Sequence, residues 1–248
     1  MTAIHDAFES NAKMSKATLI LALAMLMLSG CKERVPAENT PAFYKLHGIV
    51  NDGKTINQIT LVNDRNNNRP KLRFPPHISV YVTTPGTHDR NPRVIRKGFA
   101  YGAGVSLEFN AQKKLIPIVR TPDHLVYDRV GIYFNASLGG ENPQKENAWL
   151  QEFLQKSVQT TDKPEWGLRE YHLKGPNLAD SIYYIPLDHD FKSMEGANIY
   201  FSCYVNCTSS FSLLSGAAIV YNFNPSLLPY WREIYEEVYK FTDLVIVK

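Results

Sequence analysis

Apolar positions along the chain recur with two periods. Ile78, Val80 and Val82 alternate with Ser79, Tyr81 and Thr83, the period of two that lines one face of a strand. Apolar-rich runs predict further strands at Phe43 to Val50, Ile56 to Val62, Phe99 to Phe109, Leu115 to Val119 and Val130 to Leu138. Pro117 fits an edge or a bulge, since it cannot donate to a ladder. Turn signals separate these runs: Asn51-Asp-Gly53, the polar segment Asp64 to Pro70, Thr84-Pro-Gly86 and Gly139-Gly140. Strands follow again at Leu168 to Leu173, Ser181 to Leu187, Ala197 to Val205 and, as one long run, Phe211 to Phe223, which Asn224-Pro225 ends.

Helical spacing occurs twice. Ala148, Trp149, Phe153, Leu154, Ser157 and Val158 form one apolar stripe, led in by Glu141-Asn-Pro-Gln. The clearer one follows Pro229, a residue suited to a first helical turn. There Trp231, Ile234, Tyr235, Val238 and Phe241 or Thr242 share one face, while Arg232, Glu233, Glu236, Glu237 and Lys240 fill the other. Such an aromatic stripe is core more often than groove. Leu244 to Val247 predicts a short terminal strand. Many strands with two separated helices give an α+β fold, a largely antiparallel sheet with an amphipathic C-terminal helix.

The start of the chain has another pattern. Residues 17 to 28 are free of charge and proline, and Lys13 and Lys16 precede them. A basic flank with a 12-residue apolar run matches a secretory signal; crossing a bilayer takes about 20 apolar residues. Leu28-Ser29-Gly30-Cys31 resembles the bacterial lipobox, which implies cleavage before Cys31, acylation of that cysteine and permanent membrane anchoring. Lys32, in place of aspartate, resembles the enterobacterial sorting pattern that implies the outer membrane, with the protein facing the periplasm and the outer face as the alternative. Met14 is an alternative start. The expected organisation is a signal over 1–30, a polar tether over 31–41 with Pro36 and Pro41, and one globular domain over 42–248.

From Cys31 onward 218 residues remain, enough for a sizeable core. Twenty-six Tyr plus Phe favour a globular, strand-rich chain. The net charge of +3 excludes little, but residues 65 to 97 carry eight basic side chains against the single acid Asp89. Arg90, Arg93, Arg96 and Lys97 are the candidate partner-binding residues of this stretch, which suits an acidic partner or anionic headgroups and otherwise reads as solvated loops. A nucleic-acid partner is not expected, because aromatic interleaving is thin.

Cys203 and Cys207 form an even pair. In an oxidising periplasm they read as a disulfide, with free thiols as the alternative. Four residues of straight strand span about 13 Å, whereas bridged Cα atoms lie within about 7 Å. The chain must turn between them, and Asn206 suits a left-handed position. The spacing is not the redox C-x-x-C.

No G-x-S-x-G, H-E-x-x-H or P-loop occurs. Gly102-Ala-Gly104 lacks the third glycine of a dinucleotide site and reads as a strand kink. His47, His77, His88, His124, His172 and His189 are scattered; Asp123-His124 reads as a turn. Asp188-His189-Asp190, with Glu195 beyond, is the densest polar cluster, but it lacks the spacing and glycine of a calcium loop and reads as a solvated turn. No cofactor, metal or enzymatic activity is expected.

The last third carries a second resemblance. Tyr183-Tyr184-Ile-Pro186, then Ile199-Tyr-Phe-Ser-Cys203, Cys207, a β run ending at Phe223, and a terminal helix with Leu228-Pro-Tyr-Trp231, Ile234, Val238 and Phe241 are similar in order and spacing to immunity lipoproteins that protect against type VI secretion effectors. The match covers roughly residues 168 to 246. It implies a periplasmic binding protein that neutralises a toxin by direct contact. The alternatives are an assembly lipoprotein of a secretion or conjugation machine, and an envelope hydrolase with a non-standard site.

Overall fold

The computed structural model describes residues 36–37, 39–63, 67–83, 97–118, 128–136, 143–175 and 178–248. The chain divides into two units, Met1–Glu38 and Asn39–Lys248, and the second encloses its own hydrophobic core.

That unit is α+β and largely antiparallel. Its main sheet contains β3 (Val80–Thr83), β5 (Gly102–Phe109), β6 (Leu115–Pro117), β7 (Arg129–Ala136), β8 (Ser157–Lys163), β9 (Leu168–Gly175), β10 (Leu178–Pro186), β11 (Phe201–Cys203), β12 (Cys207–Ser212) and β13 (Ala217–Phe223). The order across it is β3-β5-β7-β13-β12-β11-β10-β9-β8, with β6 paired to β5. A smaller sheet has the order β2-β1-β4, from β1 (Asn57–Leu61), β2 (Lys71–Phe74) and β4 (Phe99–Ala100). There β1 and β4 run parallel, whereas all other pairings are antiparallel.

The helices are α1 (Pro41–Leu46), α2 (Pro143–Leu154) and α3 (Trp231–Val245). Along α3, Trp231, Ile234, Tyr235, Val238 and Val245 are buried in the main core, as is Thr242, the residue that takes the stripe's last place while Phe241 is only half-buried. The Trp231 indole Nε1–H donates to the Trp166 carbonyl at 2.7 Å, and its ring stands edge-on to Phe191 and Phe201. The small sheet packs into the same core: Leu72 and Phe74 are buried, and Phe74 meets Phe134 of β7 at 5.6 Å.

Several expectations are corrected. Phe43 to Val50 is not a strand; it opens with α1, because the Thr40 Oγ1 accepts from the Phe43 N–H and Pro41 sits at the helix start. Phe211 to Phe223 is not one strand but the end of β12, a turn and β13. Gly216, at φ +82°, supplies the left-handed residue of that turn, which the apolar pair Leu213-Leu214 conceals in the sequence. Ser157 and Val158 belong to β8 and not to the helix; α2 buries Leu150 and Leu154 and leaves Trp149 half exposed. Ala197 to Val205 is strand only at β11. The terminal residues form no strand: α3 continues to Val245, and a single bridge joins Ile246 to Leu72.

Candidate functional site

Pleat alternation gives the main sheet two faces. One bears Val105, Ile132, Phe134, Ile219, Tyr221 and Phe211 and is buried against α3 and the small sheet. On the other face, register places Tyr81, Gly104, Tyr133, Val220 and Ser210 side by side across five strands. The next row runs Ser106, Gly131, Asn222, Thr208, Ser202 and Tyr183. Apart from the two buried glycines, these residues are only half-buried. Among the described residues and away from α2, this second face is an open plate of half-buried hydroxyls, a carboxamide and tyrosine rings.

The glycines leave room for neighbouring side chains, the Tyr81 ring at Gly104 and the Asn222 carboxamide at Gly131. A Cβ on Gly104 would stand 2.3 Å from the Tyr81 ring, and one on Gly131 would stand 2.9 Å from the Asn222 Oδ1. Tyr81 packs edge-on to Tyr133, with centroids 5.7 Å apart. Burial, and then the neighbouring Tyr133 hydroxyl, push the Tyr81 phenol well above its ordinary range. It therefore stays a protonated hydroxyl at every physiological pH, engaged with Tyr133 and Ser106.

At the plate's β3–β5–β6 end lies a pocket of about 360 Å³ whose lining includes His77, Ile78, Tyr81, Ser106, Pro117 and Arg129. His77 holds a left-handed backbone, φ +69°, an uncommon conformation for a side-chain-bearing residue. At the far end α2 covers the plate through a separate apolar cluster of Leu150, Leu154 and Ile185. An aromatic series runs from there toward solvent: Tyr200 to Tyr183 at 6.3 Å, Tyr183 to Phe153 at 5.1 Å, and Phe153 stacked on Trp149 at 5.2 Å.

Cys203 and Cys207 are bridged, on directly opposed residues of β11 and β12 with Cα atoms 4.0 Å apart. Asn206 is not left-handed. The loop closes through the bridge and through the Tyr204 N–H, which donates to the Asn206 carbonyl. Tyr204 and Val205 stand at its exposed tip. Cys31, Arg90, Arg93, Arg96, His88, Asp123 and His124 lie outside the described residues. Lys97 is exposed and lays its stem over Gly48. Asp188, His189 and Asp190 lie on an exposed turn, where the Asp188 carboxylate accepts from the Asp190 N–H and pairs with Arg232 at 3.8 Å. The His47 ring is buried against Phe43, its Nδ1 at 3.0 Å from the Phe99 carbonyl. His172 meets Glu170, which also accepts from the Tyr184 hydroxyl. Among the described residues, no three His, Cys, Asp or Glu side chains gather as metal ligands would.

Sequence reasoning missed the open plate. Its signal was present in β12, where Thr208, Ser210 and Ser212 alternate with the buried Cys207, Ser209 and Phe211. No protein-family model and no curated protein matches the chain. Among solved structures, an immunity protein of the Stenotrophomonas maltophilia type IV secretion system resembles it with 12% identity and a TM-score of 0.47, over 79% of this chain and 97% of that one. A likeness at that level decides neither fold nor role.

Proposed function

We propose that the chain is a lipid-tethered binding protein of the outer membrane, facing the periplasm, that neutralises a secreted toxin, type VI in kind, by direct contact. The observation that carries this reading is the open plate. Its Tyr, Ser, Thr, Asn and Gly composition is that of protein surfaces that bind other proteins: rings give contact area at low entropic cost, and small polar groups adapt their hydrogen bonds. The side chains stand on a continuously paired sheet with a buried core beneath it, which limits the ordering that opposes binding. Stoichiometric blocking needs only such a surface. The Leu28 to Cys31 motif supports the compartment.

Two experiments test the reading. The adjacent gene should encode a secreted effector, cells exposed to that effector should survive when they express the chain, and Tyr81→Ala with Tyr133→Ala should remove that protection while the protein stays folded. Survival without the chain, or killing despite it, would end the immunity reading. Replacing Cys31 with Ala should abolish metabolic labelling with palmitate; unchanged labelling would end the acylation reading.

A further inference from the structure

We infer that the outer face of the small sheet, with the end of α1, is a docking surface for an anionic lipid bilayer. It lies on the side of the molecule opposite the open plate.

The charge of the chain is divided unequally. Residues 39–100 carry ten Lys and Arg against three Asp and Glu, a net of +7, whereas residues 101–248 carry thirteen against seventeen, a net of −4. Such asymmetry within one chain points to a polyanionic partner or surface. Among the described residues, Lys45, Lys71, Arg73 and Lys97 of this set gather on one side. In β2, Leu72 and Phe74 point into the core, so Lys71 and Arg73 point out. In β1, Gln58 opposes Arg73 and Thr60 opposes Lys71, so one outward face carries all four. Alternation places the exposed Ile56 on that face too. Lys97 approaches next to it: Gly98 accepts from the Thr60 N–H and donates to the His47 carbonyl, and the Lys97 stem crosses Gly48 one turn from Lys45. Asp52 is the one acid among the described residues of 39–100, and its carboxylate is engaged locally by the Lys54 and Thr55 N–H groups and the Thr55 hydroxyl.

Apolar side chains stand exposed among these cations. Leu46 is 37%, Val50 47%, Ile56 44% and Val247 44% exposed. Asn57 ties Val50 to the start of β1 through both its backbone groups, and the Val247 N–H donates to the Lys71 carbonyl. Cations mixed with protruding aliphatic groups suit headgroups above acyl chains, the cations pairing with phosphates and the aliphatic groups entering the interface. Asn39, where the compact unit begins, is two residues from α1 and eight from Cys31, so the intervening chain spans at most roughly 29 Å. Since acylation alone would retain the protein, the face would orient it, turning the open plate toward the periplasm.

This inference rests on the proposed acylation of Cys31, and one experiment separates the two. The full-length lipoprotein is reconstituted into vesicles of phosphatidylcholine alone or with 30% phosphatidylglycerol and treated with an amine-reactive label read by peptide mass spectrometry. Labelling of Lys45, Lys71 and Lys97 should fall several-fold in the anionic vesicles, while Lys156, Lys174 and Lys192 stay unchanged. Each basic residue near an anionic surface strengthens binding about fivefold. Lys71→Gln with Arg73→Gln and Lys97→Gln should therefore abolish the protection, as should 0.5 M salt. Equal labelling in both vesicles, a fall spread over all lysines, or protection that appears only with an added acidic protein would overturn the inference. The same digest reads the Cys31 peptide. If it carries no acyl chain, the anchor reading fails, and cosedimentation with the two vesicle types, anionic above neutral or equal, decides the face.

Discussion

Gly104→Ala is the sharpest test of the open plate's construction. The new Cβ would stand 2.3 and 2.4 Å from two Tyr81 ring carbons and 2.7 Å from the phenol oxygen. Carbon contacts favour about 3.5–4.0 Å, so the ring must move by more than about 1 Å. Forced overpacking of this kind costs about 1–3 kcal/mol. Displacing Tyr81 from its edge-on contact with Tyr133 forfeits about 0.5–1.5 kcal/mol more. Against this, alanine inside a strand is better than glycine by about 0.5–1 kcal/mol. The net expectation is a loss of about 1–3 kcal/mol. In a Tyr81→Ala background the clash is gone and only the gain remains, so Gly104→Ala should stabilise there by about 0.5–1 kcal/mol. The sign reversal, a coupling of about 1.5–4 kcal/mol, is read from urea midpoints at unchanged m value. If Gly104→Ala shifts the midpoint equally in both backgrounds, the ring does not lie over Gly104 and the plate is not built as described.

Cys203→Ser with Cys207→Ser opens a five-residue loop and should cost about 2 kcal/mol by the chain-entropy relation, a fall in melting temperature of roughly 4–8 °C. Trp231→Phe removes the donor to the Trp166 carbonyl and part of a buried ring, and should cost roughly 1–3 kcal/mol in the same urea assay. The Glu195 carboxyl is pushed above its ordinary range by burial, and its Oε2 has no hydrogen-bond partner. Its charged form therefore weakens the fold above that raised value, and the penalty vanishes below the unfolded-state value near 4.5. Glu195→Gln should accordingly raise the melting temperature at pH 8 and leave it unchanged near pH 4; a gain equal at both would refute the assignment.

What the sequence revealed depended on whether a signal was local. The α3 stripe was legible because Trp231, Ile234, Tyr235 and Val238 recur at helical spacing with charges opposite. The cysteine turn followed from reach alone. Phe43 to Val50 misled because apolar content says nothing about period, and the decisive signal was the cap at Thr40-Pro41. β8 was invisible because Ser157–Lys163 is a polar edge strand whose one neighbour among the described residues is β9, a pairing no local pattern encodes. The plate was hidden for a related reason. Tyr81, Gly104 and Tyr133 come from three strands, and only their register makes them neighbours.

The plate and the cationic face are linked by the way the layers stack. Tyr133 and Phe134 are consecutive, so one side chain faces the plate and the other meets Phe74. Phe74 and Arg73 are consecutive in turn, so the next side chain faces outward on the small sheet. Two single-residue alternations thus fix the two faces on opposite sides of one core. A slip of one residue in either strand would bury a charge and expose an aromatic ring, which makes this register hard to change. A bilayer-facing cationic side and an outward-facing contact plate therefore need no hinge or second domain, and a variant that weakens one should leave the other's binding intact.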